Sequence, residues 1–206
     1  MSVTIHGTAK SRAVRNIWMA EELGLAYAHD PVDFRDGGSM KPDYLALNDM
    51  GQVPAMSDEG VVLTESLAIN LYLAKKHGGP LGPRDLIEDA LMTKWTLFAA
   101  TQVEGPGIVC LQHALMLPED KRDAKLLDET IAKSARAFKH LDRALEKGGG
   151  WLVGGRFTAA DINVAMCVFY FRGRPDVVAS YPHVATWWAD VTGRPAYKKA
   201  MALRGD

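Results

Sequence analysis

The chain has 206 residues, of which 48% are hydrophobic, 24% charged and 8% aromatic. This composition is typical of a globular protein with a sizeable core, and it excludes an intrinsically disordered chain. The 24 basic and 25 acidic residues leave a formal net charge of -1. Because no excess positive charge is available to attract phosphates, nucleic acid is not an expected partner.

The sequence also lacks the features of a membrane or secreted protein. It contains no run of about 18 apolar residues, which a membrane-spanning helix requires, and its N-terminus lacks the apolar stretch of a secretory signal. Cys110 and Cys167 lie in apolar helical contexts, where free, buried thiols are expected rather than a disulfide. We therefore predict a cytoplasmic protein with no membrane partner.

The first eighty residues change hydrophobic period repeatedly, as they do where strands and helices alternate. Val3 to His6 predicts a buried strand, and the apolar residues that follow a possible N-cap at Ser11 lie on one helix face. Tyr27 to Asp33 predicts a second strand. Since a helix separates the two strands, the crossover rule makes them parallel.

The rest of this half predicts a short helix, a hairpin and a longer helix. Pro42 to Leu47 predicts the short helix. Pro54 to Ser57 and Val61 to Leu63 flank an Asp-Glu-Gly turn, which favours an antiparallel hairpin. The helix predicted over Ser66 to His77 completes the order βαβαββα.

The second half shows only helical periods. The segment HGGPLGPR at 77–84 contains three glycines and two prolines and therefore predicts a linker. We predict an α/β domain over residues 1–79, a linker over 80–85 and an all-α domain over 86–206. Its helices are expected over 87–104, 119–147, 158–171, 181–191 and 195–203, with Gly-Pro and Gly-Gly interruptions between them.

One helix start is unusually well defined. In FTAADI at 157–162, Thr158 and Asp161 have the spacing of a capping box, and Phe157 and Ile162 can close over the turn as a hydrophobic staple. Capping explains this pair better than catalysis does. Phosphate-loop, dinucleotide and zinc-protease motifs are missing from the sequence, and Cys110 with His113 supplies too few ligands for zinc, so no metal is expected.

Three motifs resemble signatures of the soluble glutathione transferases. NDMGQVPAM at 48–56 and LTESLAI at 63–69 resemble their glutathione-site signature, and FTAADI resembles their helix-capping signature. The order βαβαββα is similar to their thioredoxin-like N-terminal domain, and the helical half is similar to their C-terminal domain. The resemblance covers nearly the whole chain. It implies a homodimeric enzyme, joined through the helices near Ser66 and Asp85, that transfers the glutathione thiolate to hydrophobic electrophiles.

The resemblance also assigns part of a glutathione site. It implies a cis bond between Val53 and Pro54, which would turn the N–H and C=O of Val53 outward to pair with the cysteinyl unit as a neighbouring strand would. Gln52 and Lys41 resemble positions that hold the peptide backbone and the glycine carboxylate. Without the resemblance, the residues predict only that a strand begins at Pro54, because proline cannot donate to a sheet ladder.

Glu65 and Ser66 lie where a strand becomes a helix, so free amides and the positive end of the helix dipole favour an anion there. The hydroxyl and amide of Ser66 can bind the γ-glutamyl carboxylate, and Glu65 can accept from the ammonium group. The alternative is that Ser66 is an N-cap and Glu65 a first-turn acid. The nearby GQVPAM motif favours ligand binding.

Thr8 and Ser11 are the two candidates for the group that activates the thiol. In serine-type members of the family, a hydroxyl just after the first strand donates to the glutathione sulfur. Alignment with theta-like and zeta-like members favours Thr8, whereas bacterial sequences that begin this helix with Ser-Arg favour Ser11, which could also serve only as an N-cap. No tyrosine precedes Tyr27 and no cysteine precedes Cys110, which argues against the tyrosine and cysteine types.

Two other functions share these features. A non-catalytic glutathione-binding or regulatory protein would keep the binding motifs without activating the thiol. Another glutathione-dependent enzyme, such as an isomerase, a dehalogenase or a peroxidase, would bind glutathione in the same way but catalyse a different reaction.

Overall fold

A computed structural model describes residues 3–205. The chain divides into two compact units. The first unit extends to Gly82 and resumes at Gly193, and the second covers Pro83–Thr192. The predicted fold class is confirmed, because an α/β region with a four-stranded sheet is followed by a helical region.

The sheet contains β1 (Val3–His6), β2 (Tyr27–Asp30), β3 (Ala55–Asp58) and β4 (Val61–Thr64) in the order β2-β1-β3-β4. As predicted, β1 and β2 are parallel, and β3 and β4 form an antiparallel hairpin. The β1–β3 pair is antiparallel. Strand β2 ends at Asp30, three residues before the predicted end, because Pro31 cannot donate to the ladder.

Three helices of the first unit follow the predicted order. They are α1 (Ala13–Glu22), α2 (Pro42–Leu45) and α3 (Ser66–His77). Eight consecutive residues of α1, numbers 13–20, are buried, because this helix packs against α3 as well as against the C-terminal helix. Helix α1 is therefore the core element of this unit.

The second unit contains six helices within the part of the chain that the structure describes. They are α4 (Leu86–Phe98), α5 (Gly105–Leu111), α6 (Ala124–Lys147), α7 (Ala159–Val168), α8 (Pro175–Ala179) and α9 (Pro182–Gly193). The predicted interruption at Gly105-Pro106 is wrong, because a π-helical segment, Ala99–Glu104, joins α4 to α5. Proline removes one helical N–H, and the carbonyls four and five residues earlier belong to exposed Gln102 and Thr101, where water can replace the lost donor.

The last helix, α10 (Pro195–Arg204), packs with the first unit, whereas the sequence analysis assigned it to the helical domain. The ring of Tyr197 meets the ring of Trp18 on α1 edge-on, with 4.9 Å between centroids. Arg194 forms a bidentate ion pair with Glu22 through N···O distances of 2.7 and 2.8 Å. Local periodicity cannot reveal such a partner, because these contacts join residues more than 170 positions apart.

The capping box at the start of α7 is present, as predicted. The completely buried carboxylate of Asp161 accepts from the N–H of Thr158 at 2.9 Å and from the indole N–H of Trp187 at 3.0 Å. It also accepts from the N–H of Leu152 at 3.3 Å. Burial raises the pKa of Asp161 to about 6. This carboxylate therefore links α7 to α9 and to the preceding loop.

A second ion pair fixes the start of α4. The carboxylate of Glu88 accepts from both guanidinium nitrogens of Arg156, at 2.9 and 2.7 Å, and from the N–H of Arg84 at 2.8 Å. Gly154 lies against this pair, and a side chain there would collide with both partners. The Arg156 hydrogen bonds lower the pKa of Glu88 from 4.5 to about 2.

This pair predicts a pH-dependent stability. Because the folded-state pKa of Glu88 is lowered, its contribution is present above about pH 4.5 and is lost as the pH falls towards 2. The melting temperature of the Glu88→Gln variant should therefore lie below that of the wild type at pH 7 and approach it in acid. Scanning calorimetry from pH 7 to 3, with exposed Glu119→Gln as control, tests this. A gap between Glu88→Gln and the wild type that does not change with pH would contradict it.

Candidate functional site

Three segments of the first unit meet at Gly7, directly after β1. Its φ of +133° lies in the region that favours glycine, and an added Cβ would lie 3.0 Å from the Cβ of Val53 and 3.2 Å from that of Ala13. The end of β1, the start of α1 and the loop before β3 therefore approach one another closely. This junction brings the segment with Thr8 and Ser11 beside Val53.

The loop before β3 presents an unpaired stretch of backbone. The Val53–Pro54 bond is cis, as the family resemblance implied, and Pro54 directly precedes β3. The carbonyl of Gln52 accepts from the hydroxyl of Tyr44 and from the side-chain amide of Asn48, both at 2.7 Å. Within residues 3–205, neither the N–H nor the C=O of Val53 has a hydrogen-bond partner.

Lys41 lies on a segment adjacent to this loop. An added Cβ on Gly51 would lie 3.2 Å from the carbonyl oxygen of Ser39, so residues 39–41 and 51–52 are neighbours. The side chains of Lys41 and Gln52 are exposed. Both remain accessible to a ligand with hydrogen-bonding or anionic groups.

The start of α3 combines a constrained backbone with a buried hydroxyl. Glu65, the N-cap residue, has φ +66° and an exposed side chain, and Ser66 behind it is buried. Positive φ at a non-glycine residue costs on the order of 1 kcal/mol and is concentrated at functional sites. The first-turn N–H groups of α3 have no intrahelical acceptor, so this end of the helix can bind an anion.

Two residues of α1 that the sequence analysis missed hold Ser66 in place. The buried guanidinium of Arg15 donates to the hydroxyl oxygen of Ser66 at 3.2 Å. The side-chain amide of Asn16, completely buried, donates to the carbonyl of Ser66 at 2.7 Å and to Asn70 at 2.8 Å. Their signal in the sequence is a polar pair within the otherwise apolar run Ala13–Ala20.

The two candidate hydroxyls differ in their hydrogen bonds. Ser11 donates to the carbonyl of Thr8 at 2.7 Å, and its oxygen accepts from the N–H of Ala13 at 3.1 Å. The N-cap residue of α1 is Arg12 rather than Ser11. The hydroxyl oxygen of Thr8 accepts from the N–H of Lys10 at 3.4 Å, and its O–H has no acceptor within the described residues.

The described residues include neither a cluster of metal ligands nor a membrane-spanning helix. Across residues 3–205, no three His, Cys, Asp or Glu side chains are grouped so that they could hold a metal ion. No helix in the same range combines the length and apolarity needed to cross a bilayer. Both cysteines are free and buried, as predicted.

Comparison with known protein families gives two matches. The model of the glutathione S-transferase N-terminal domain matches residues 1–75, and that of the C-terminal domain matches residues 105–195. Among known sequences, the chain is similar to glutathione S-transferase 3 of Zea mays, with 32% identity over 92% of this chain and 88% of that protein.

Comparison with solved structures agrees with these matches. Glutathione S-transferase I from maize, in complex with an atrazine glutathione conjugate, is similar with a TM-score of 0.87 and 30% identity, covering 100% of this chain and 99% of that one. The theta class enzyme of Xanthomonas axonopodis pv. citri, with glutathione bound, has a TM-score of 0.81 and 32% identity, with 97% of both chains covered. The chain therefore belongs to the glutathione S-transferase family.

Proposed function

We propose that this protein is a glutathione transferase of the hydroxyl-donor type, which joins the thiolate of glutathione to hydrophobic electrophilic small molecules. The observation that carries the proposal is the junction at Gly7, where the segment that contains Thr8 and Ser11 lies next to the loop that contains Val53. The backbone N–H and C=O of Val53 have no partner within residues 3–205. The hydrogen bond from Arg15 to Ser66 also links the start of α3 to the first turn of α1. Family membership and the similarity to glutathione-bound structures support the same co-substrate.

Each part of glutathione has a chemically matched partner. The cysteinyl unit pairs with the N–H and C=O of Val53, as an added strand would. The γ-glutamyl carboxylate binds Ser66 at the positive end of α3, and its ammonium group binds the carboxylate of Glu65. Gln52 and Lys41 hold the peptide backbone and the glycine carboxylate.

Arg15 strengthens the binding of the glutamyl carboxylate. Because the guanidinium donates to the oxygen of Ser66, the hydroxyl proton of Ser66 remains available for the ligand. The buried positive charge also favours an anion at the start of α3, since charges interact more strongly in a medium of low dielectric constant. Arg15 therefore positions and polarises the group that contacts glutathione.

Thr8 or Ser11 donates to the sulfur and stabilises the thiolate. A thiol with a pKa of about 8.5 is only about 3% ionised at pH 7, and lowering the pKa by about two units requires about 2.7 kcal/mol. The thiolate fraction then rises roughly 25-fold. Because a thiolate of lower pKa is intrinsically less nucleophilic, the rate of attack by the thiol rises only a few-fold. Positioning of the electrophile must supply much of the remaining acceleration.

The existing hydrogen bonds set different requirements for the two donors. Thr8 can donate to sulfur without breaking a bond, because its O–H has no acceptor within the described residues. Ser11 must turn its O–H away from the carbonyl of Thr8, while the N–H of Ala13 continues to polarise its oxygen. Each residue can therefore reach the donor role by a different change in its hydrogen bonds.

Titration of the bound thiol tests the activation. Ultraviolet absorbance should show that the wild type lowers the thiol pKa of bound glutathione, and that either Thr8→Val or Ser11→Ala raises it again by about one to two units. Activity towards an activated aryl chloride should fall at least about tenfold in the same variant. Ser180→Ala is the matched control, because this hydroxyl also donates to a carbonyl, at 2.7 Å, in the second unit.

Other outcomes of this experiment identify the alternatives. Tight glutathione binding with an ordinary thiol pKa would favour a non-catalytic binding protein. A lowered pKa that survives both substitutions would contradict the choice of donor. Activity with organic halides, epoxides and hydroperoxides separates a transferase from a dehalogenase or a peroxidase.

We also propose that the protein forms a homodimer. Each unit carries an exposed apolar surface, with Val61 and Val62 on β4 and with Leu86 and Ile87 on α4. The side chains of Leu86 and Ile87 are 82% and 72% exposed, which is unusual for adjacent aliphatic residues. A two-fold interface that uses one self-complementary surface would bury such residues.

Substitution at the start of α4 tests the dimer. Ile87→Glu should shift the protein from dimer to monomer in sedimentation velocity at micromolar concentration, because a charge would be buried at the interface. Leu126→Glu is the matched control, since this residue is also an exposed aliphatic residue in the first turn of a helix. A wild type that is monomeric, or an Ile87→Glu variant that remains dimeric, would contradict the proposal.

A further inference from the structure

We propose that Tyr44 and Asn48 are positioning residues for glutathione. By holding the carbonyl of Gln52 from one side, they aim the N–H of Val53 at the cysteinyl unit of the tripeptide. The inference rests on the proposed function and adds to it two side chains that need not touch the ligand.

The two donors meet at one oxygen atom. The hydroxyl of Tyr44 and the side-chain amide of Asn48 each donate to the carbonyl of Gln52 at 2.7 Å. Tyr44 is 4% exposed and Asn48 8%, so both donors are fixed by their surroundings rather than by solvent. We call these two hydrogen bonds the carbonyl clamp.

Local hydrogen bonds within residues 44–51 hold the two donors of the carbonyl clamp in place. The N–H of Asn48 donates to the carbonyl of Tyr44 at 2.9 Å, which continues the turn that ends α2. The carbonyl of Asn48 accepts from the N–H of Gly51 at 2.9 Å, and its side-chain oxygen accepts from Met50 at 3.2 Å. Donors and acceptor therefore belong to one rigid segment.

Peptide geometry transmits the effect of the clamp to Val53. The carbonyl of Gln52 and the N–H of Val53 belong to the same planar peptide unit, and this unit is trans. In a trans peptide the C=O and N–H bonds point in opposite directions. Since the clamp fixes the carbonyl on one side, the N–H of Val53 is directed to the other side, where it has no partner within residues 3–205.

The clamp also makes this N–H a better donor. Hydrogen bonds to the carbonyl of an amide polarise the whole peptide unit and strengthen its N–H. A buried carbonyl needs only one hydrogen-bond donor, and the carbonyl of Gln52 has two. The second hydrogen bond is therefore not needed to satisfy this carbonyl. Burial raises the pKa of Tyr44 to about 12, so the group at this position is a neutral hydroxyl that can donate.

The experiment removes each donor with minimal change of shape. Tyr44→Phe removes one oxygen atom, and Asn48→Asp keeps the acceptor for Met50 but loses the donor. Titration calorimetry with glutathione should give a Kd about 3- to 10-fold higher for each variant, as expected from the loss of one hydrogen bond. With an activated aryl chloride, KM for glutathione should rise while kcat stays within about two-fold, because the clamp acts on binding.

Tyr27→Phe is the matched control. It also removes a tyrosine hydroxyl that donates at 2.8 Å, but the acceptor is Glu21, away from the loop before β3. Its Kd for glutathione should equal that of the wild type. The amide ¹⁵N resonance of Val53 provides a local readout, since it should shift in Tyr44→Phe and not in Tyr27→Phe.

The possible results are distinguishable. If wild-type protein does not bind glutathione, the proposed function fails and this inference fails with it. If the wild type binds but Tyr44→Phe binds equally well with an unshifted Val53 resonance, only the carbonyl clamp is refuted. Should Asn48→Asp not fold, Tyr44→Phe alone decides, because it removes only the hydroxyl oxygen and its melting temperature can be compared with that of Tyr27→Phe.

Discussion

The arrangement of the candidate site depends on the close approach of three chain segments at Gly7. An added Cβ at this position would lie only 3.0 Å from the Cβ of Val53 and 3.2 Å from that of Ala13, and its φ of +133° favours glycine. Because β1, α1 and the loop before β3 meet there, the segment that contains Thr8 and Ser11 lies next to the loop that contains Val53. The sheet supplies the rigid frame on which this contact is held.

Around that junction, side chains without obvious chemical roles hold the groups that bind. Arg15 and Asn16 fix the hydroxyl and carbonyl of Ser66, and Tyr44 and Asn48 fix the carbonyl of Gln52. All four supporting side chains are buried. Precise ligand binding requires such support, since a loosely held donor loses much of its binding energy in becoming ordered.

Periodicity and turn residues predict the element order βαβαββα and the capping box, because both are local signals. The cis bond between Val53 and Pro54 follows only from the family resemblance, since the residues alone require no more than a strand that begins at Pro54. It does not predict the packing of α10 on α1, which depends on contacts across the whole chain. It also misplaces the break at Gly105-Pro106, since a π-helical segment carries the helix past the proline. Arg15 escapes notice because a basic residue in a helix usually reaches solvent, and only the fold shows that this one is buried.

The central claim is that glutathione lies along the backbone at Val53 with its glutamyl group over the start of α3. Hydrogen exchange of individual amides, measured by NMR with and without saturating glutathione, tests it most directly. The account predicts slower exchange at both Val53 and Ser66, with little change in β2. Unchanged exchange at these two amides, despite demonstrated binding, would contradict it.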